Sequence, residues 1–101
     1  MKWLRGRASR KSGRFKLSGG RAGTIQYDSD GRRAEVSWEM LVGGFDMVVY
    51  AGDSRWVLPE ERPMAEDELR ELTRELTREM KINIELSFSH GTELFRWRDA
   101  V

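Results

Sequence analysis

The stretch Met64–Lys81, MAEDELRELTRELTREMK, constrains this chain more than any other. Leu69, Leu72, Leu76 and Met80 recur at spacings of three and four, which puts them on one face of a helix. The other faces are nearly solid charge. A helix with one apolar stripe must bury it, and the runs on either side alternate with the period of strands. The pattern predicts an α+β single domain: a mostly antiparallel sheet covered on one face by one amphipathic helix over about residues 64–81, in the order strands, helix, strands. Glu66, Asp67 and Glu68 fall in the first turn and Lys81 in the last, as the helix dipole favours. No Ser, Thr, Asp or Asn stands at the expected N-cap. No Gly marks the end, so Asn83 is expected to take the left-handed residue there.

The strands read as follows. Arg14–Ser18 alternates until Gly19, Gly20 and Gly23 break it. Thr24–Tyr27 and the run from Ala34 form a hairpin across Asp28–Gly31, with Ala34, Val36, Trp38, Met40 and Val42 pointing inward. After the Gly43–Gly44 turn, Phe45–Ala51 is apolar on both faces and is the expected central strand. Gly52-Asp53-Ser54 reads as a further turn, then Arg55–Leu58 as a short strand that Pro59 ends. Pro59–Pro63 is a stiff acidic connection. Beyond the helix, Ile84, Leu86 and Phe88 point inward, Ser89-His90-Gly91 turns, and Thr92–Trp97 closes a last hairpin.

A chain of 101 residues makes one domain. Charge divides it. Residues 1–33 carry ten Lys/Arg against Asp28 and Asp30, whereas residues 34–101 carry eight against fifteen Asp/Glu. Residues 1–12 are expected to be a basic, weakly ordered segment preceding a domain of residues 13–101. No apolar run approaches the roughly 20 residues that span a bilayer. The basic start lacks the apolar core of a secretory signal. A cytoplasmic protein without membrane partners is expected.

Several chemistries lose their residues. Cysteine is absent, which excludes disulfides, thiolate metal sites and cysteine nucleophiles. One histidine, His90, cannot build a zinc site of the usual kind and reads as a turn residue rather than a general base. Gly19–Gly23 lacks the lysine and spacing of a phosphate loop. No cofactor or metal site is expected, and no local motif places two carboxylates beside a His or a cleft. An enzyme would need a carboxylate or serine constellation visible only in three dimensions, so a binding protein rather than an enzyme is the leading expectation.

Two surfaces could bind. Asp46, Asp53, Glu60 and Glu61 fall in loops, and Glu39 lies on the polar face of its strand; together they suit a basic protein partner, steering its approach. Trp56 reads either as an exposed anchor of that surface or as a lid on the core. The alternative is a nucleic-acid-binding module. Arg5, Arg7, Arg10, Lys11, Arg14, Lys16 and Arg21 would supply charge to phosphates, and Trp3 or Phe15 would stack on bases. No RNP, KH or helix-turn-helix pattern accompanies them.

The order of features over residues 25–88 is also familiar. It comprises Ile25-Gln26-Tyr27 before a turn, Trp38-Glu39-Met40-Leu41 with Gly43-Gly44, Val48-Val49-Tyr50, Trp56-Val57-Leu58-Pro59, and the helix start Pro63-Met64-Ala65-Glu66-Asp67-Glu68. It resembles the small immunity proteins of bacterial polymorphic-toxin systems, of the contact-dependent inhibition type, specifically the immunity family numbered seventy-four. The resemblance implies binding to a cognate toxin domain, usually a nuclease or other cytosol-acting enzyme, and blocking it without catalysis. A nuclease is commonly basic because its substrate is polyanionic, and the acidic body would present carboxylates where phosphates sit.

Overall fold

The computed structural model describes residues 14–100. The basic segment 1–12, with Trp3, Arg5, Arg7, Arg10 and Lys11, lies outside the described residues. Within them the chain forms strands β1 (Arg14–Gly19), β2 (Ala22–Ser29), β3 (Arg32–Met40), β4 (Met47–Leu58) and β5 (Arg62–Pro63). Helix α1 (Glu66–Met80), β6 (Ile84–Phe88), β7 (Gly91–Phe95) and a short α2 (Trp97–Ala100) follow. One seven-stranded sheet runs β1-β2-β3-β4-β6-β7, with β5 alongside β4.

The α+β class and the covering helix agree with the sequence. Antiparallel pairing is broken once: β4 and β6 run parallel, Met47 beside Ile84 and Tyr50 beside Ser87. The cause is α1 itself. It is the crossover between two adjacent strands, and a crossover returns the chain to the end where it started. The second helix, α2, was not expected.

Register decides what each face holds. On the face under α1 lie Ile25, Ala34, Val36, Trp38, Trp56, Val49, Met47, Ile84, Leu86 and Phe88, all buried. Leu69, Leu72, Thr73, Leu76 and Thr77 of α1 close over them. Each fully buried Leu or Ile contributes about 1.5–3 kcal/mol. The other face of the sheet has no helix over it and carries Gln26, Asp28, Arg33, Glu35, Ser37, Glu39, Tyr50 and Arg55.

Several boundaries differ from expectation for local reasons. Asp30 and Gly31 both have positive φ (50° and 79°), so the β2–β3 hairpin closes on these two residues and the strands run up to Ser29 and Arg32. The inward stripe of β3 stops at Trp38. Met40 is 52% exposed and Val42 97%, because the strand ends at Met40 while the alternation continues in sequence. Met80 is likewise 40% exposed, since α1 ends on it.

The helix start is two residues later than predicted, with Ala65 as N-cap. Alanine offers no oxygen, so only the reciprocal half of a capping box exists: Ala65 N–H donates to Glu68 Oε1 at 2.9 Å. Met64 at N′ and Leu69 at N4 are both buried, the positions of a hydrophobic staple. At the far end Lys81, not Asn83, is left-handed (φ 57°). Asn83 is engaged otherwise, its Oδ1 accepting the Trp97 N–H at 3.1 Å.

Candidate functional site

Gly52-Asp53-Ser54, read from sequence as a turn, lies with Ala51 inside the continuous strand β4 as a wide bulge. Glu35 pairs with Arg55 and Ser37 pairs with Tyr50, so the whole of Ala51–Ser54 stands opposite Val36 alone. Gly52 lies within it, and glycine inside a strand commonly marks such an interruption. Ser54 is buried at its base and donates its hydroxyl to the Tyr50 carbonyl at 3.0 Å. The bulge lifts the strand off its neighbour and opens a groove of about 660 Å³ on the uncovered side of the sheet.

Thr24, Glu35 and Ser37 form one wall of the groove. Asp53 and Arg55 form another, and Glu61, Arg62 and Pro63 the third. Arg55 sits between two carboxylates, 3.3 Å from Glu35 and 3.4 Å from Glu61. Asp53 and Glu60 have no hydrogen-bond or ion-pair partner among the described residues. Arg62 turns away: both its terminal nitrogens reach Glu68, at 3.2 and 3.1 Å. The groove is lined by three carboxylates, Glu35, Asp53 and Glu61, of which Glu35 and Glu61 pair with Arg55.

The sequence-predicted residues divide accordingly. Asp53 and Glu61 meet in the groove, and Glu60 adjoins it by chain connection. Glu39 is exposed on the same face, four residues along β3 from Glu35 and so roughly 13 Å away. It accepts the Tyr50 hydroxyl at 2.6 Å, and that carboxylate raises the Tyr50 pKa. Asp46 is committed to structure. Its N–H donates to Asn83 O at 3.0 Å and its Oδ2 accepts the Asn83 N–H at 2.8 Å, tying the β3–β4 loop to the start of β6.

Trp56 is not the exposed anchor. It is 4% exposed, in the core under α1. Its Nε1 donates to Glu68 Oε1 at 3.0 Å, and the Arg32 guanidinium lies 4.2 Å from the centre of its ring. Its place follows from parity: Trp56 pairs with Ala34, and both point to the helix. Glu35 and Arg55 were missed as site residues. The glycine-containing interruption at 52–53 was the available signal.

His90 sits in the β6–β7 turn. Its ring stacks on Phe88 at 4.9 Å, and Nε2 lies 2.8 Å from Glu66 Oε2. The neighbouring Arg70 bridges Glu66 and Glu93, at 3.4 and 2.7 Å. The imidazole beside Glu66 holds that carboxyl below its ordinary range. The cluster clamps the helix start to the closing hairpin and lies away from the groove.

Among the described residues, no group of three or more His, Asp or Glu is placed to hold a metal ion, and no helix is long and apolar enough to cross a membrane. No family model, curated protein or solved structure matches the chain.

Proposed function

We propose that this protein is an immunity protein: it binds a cognate toxin domain through the uncovered face of its sheet and blocks that domain by occlusion, without catalysis. The observation that carries the reading is the groove beside the β4 bulge, where Glu35 and Glu61 flank Arg55, Asp53 lines the same groove, and the guanidinium of Arg62 is taken up by Glu68. Asp53 and Glu61 are exposed and Glu35 is half-buried. Glu35 and Asp53 stand on β3 and β4 and Glu61 on the short connection to β5, and Asp53 makes no hydrogen bond or ion pair among the described residues. Such a surface complements a basic protein and accelerates its approach. The sequence resemblance to an immunity family gives the partner its class, a toxin acting in the cytosol, with a nuclease as the expected type.

Charge reversal tests this surface. Glu60→Lys with Glu61→Lys is expected to slow toxin association at least tenfold at low salt, with the effect shrinking as salt screens it. The fold should be unaffected, because both side chains are exposed and Glu61 makes only a surface pair. Unchanged association rate and affinity in the double variant would remove this surface from the function.

A further inference from the structure

Among the described residues the sheet ends at β1 and at β7, and these two edge strands are built differently. At β1 the strand carries Lys16 at its centre, a charge that two copies laid edge to edge would bring together. At β7, GTELF, there is no lysine, no proline and no bulge. Its one charged residue, Glu93, is neutralised from within by Arg70 at 2.7 Å. The short α2 that follows packs against α1, on the helix side, and so leaves the uncovered face of this edge open.

The hairpin fixes which backbone groups β7 offers. Phe88 pairs with Gly91 across the two-residue turn Ser89–His90, so that pair closes the hairpin with its own hydrogen bonds. Bonded and non-bonded pairs alternate along an antiparallel ladder. Leu86–Glu93 and Ile84–Phe95 are therefore bonded within the hairpin, whereas Thr92 and Leu94 aim their N–H and C=O groups outward from the sheet. Leu94 also places its side chain on the uncovered face, 48% exposed.

We infer that two copies of this chain pair antiparallel along β7, with Leu94 opposite Leu94 of the second copy. The outward N–H and C=O of each Leu94 then bond to the other. The two leucine side chains cover one another on the uncovered face, and on the helix side each Glu93 stands beside a Phe95. The strand is complementary to itself in this register, which is what a two-fold dimer requires. The groove lies across the sheet, on the β3–β4 side, and stays free in the dimer.

Light scattering on the full chain across a concentration series reads the association directly. The expected mass is that of two 11.8-kDa chains, halved in Leu94→Lys while the circular dichroism and melting of the subunit persist. The chain has no cysteine, so a single introduced thiol reports the register cleanly. Opposed residues of a bonded antiparallel pair lie about 5.5 Å apart at Cα, within disulfide reach. Leu94→Cys is expected to form a covalent dimer under mild oxidation, whereas Lys16→Cys on the other edge is not. A wild-type chain of monomer mass at every concentration overturns the inference. So does a Leu94→Cys protein that cross-links no faster than Lys16→Cys.

Discussion

The Trp56 indole N–H meets Glu68 Oε1 at 3.0 Å across the seam between the sheet and α1. The same carboxylate accepts the Ala65 N–H at 2.9 Å and holds the guanidinium of Arg62. One side chain thus satisfies the core indole, caps the helix and pins β5. Arg62, then the backbone N–H of Ala65 and the indole N–H, outweigh the cost of desolvation and bring the Glu68 pKa down to about 2.

Glu68→Gln should cost about 1–3 kcal/mol, since it weakens a charge-assisted acceptor that three donors share. The native protein should also lose stability in acid with a known sign. The folded pKa lies below the ordinary value of 4.5, so the carboxylate's contribution is complete above about pH 4.5 and falls away between there and about pH 2. The linkage is worth at most about 3 kcal/mol, less for the exposed part of the side chain. Urea melts of wild type and Glu68→Gln at pH 7 and pH 3 check this: the gap between them should narrow at pH 3.

Thr73 makes the opposite kind of prediction. It is fully buried on the sheet-facing side of α1, and its Oγ1 has no hydrogen-bond partner among the described residues. Its neighbour Thr77 differs, donating to the Thr73 carbonyl at 2.7 Å. A buried hydroxyl without a partner carries a desolvation penalty of roughly 1–3 kcal/mol. Thr73→Val keeps the shape and removes the penalty, so thermal unfolding should shift upward, whereas Thr77→Val should gain little or nothing. A clear loss of stability in Thr73→Val would contradict this packing.

Asp46 separates structure from recognition. Its two bonds to Asn83 hold the β3–β4 loop against the start of β6. Only the side-chain bond is removed in Asp46→Ala, which should cost about 1–2 kcal/mol. Association with the proposed toxin partner should change far less than in Glu60→Lys with Glu61→Lys. The comparison is made with denaturant melts and stopped-flow association on the same proteins.

The legible parts of this fold are those that periodicity controls. The stripe Leu69, Leu72 and Leu76 located the helix, and Ile84, Leu86 and Phe88 gave the inward face of β6, because burial and sequence period coincide there. Apolarity on both faces also marked Phe45–Ala51 as central; the strand starts two residues later, at Met47, and sits between β3 and the parallel β6. What escaped depends on pairing between distant segments. The direction of β6 follows from where the crossover lands. The bulge is a mismatch between β3 and β4, of which the sequence of β4 shows only the interruption at Gly52. Glu35 and Arg55 became neighbours only through that mismatch, and Trp56 turned inward by its register with Ala34. Asp46 and Asp53 alike read from sequence as loop residues, and composition has no means of separating Asp46, bonded to Asn83, from Asp53, which lies in the β4 bulge without a hydrogen-bond or ion-pair partner among the described residues.

The binding reading rests on a protein partner reaching the groove. The chain should be purified from cells co-expressing the neighbouring open reading frame, at low and high salt, with and without added nuclease, beside an Asp53→Lys, Glu61→Lys variant. One stoichiometric protein partner that withstands salt and nuclease, and that the variant fails to retain, is the expected result. Nucleic acid that disappears with salt or nuclease, with no protein retained by either form, would contradict it and return the function to the basic N-terminal residues.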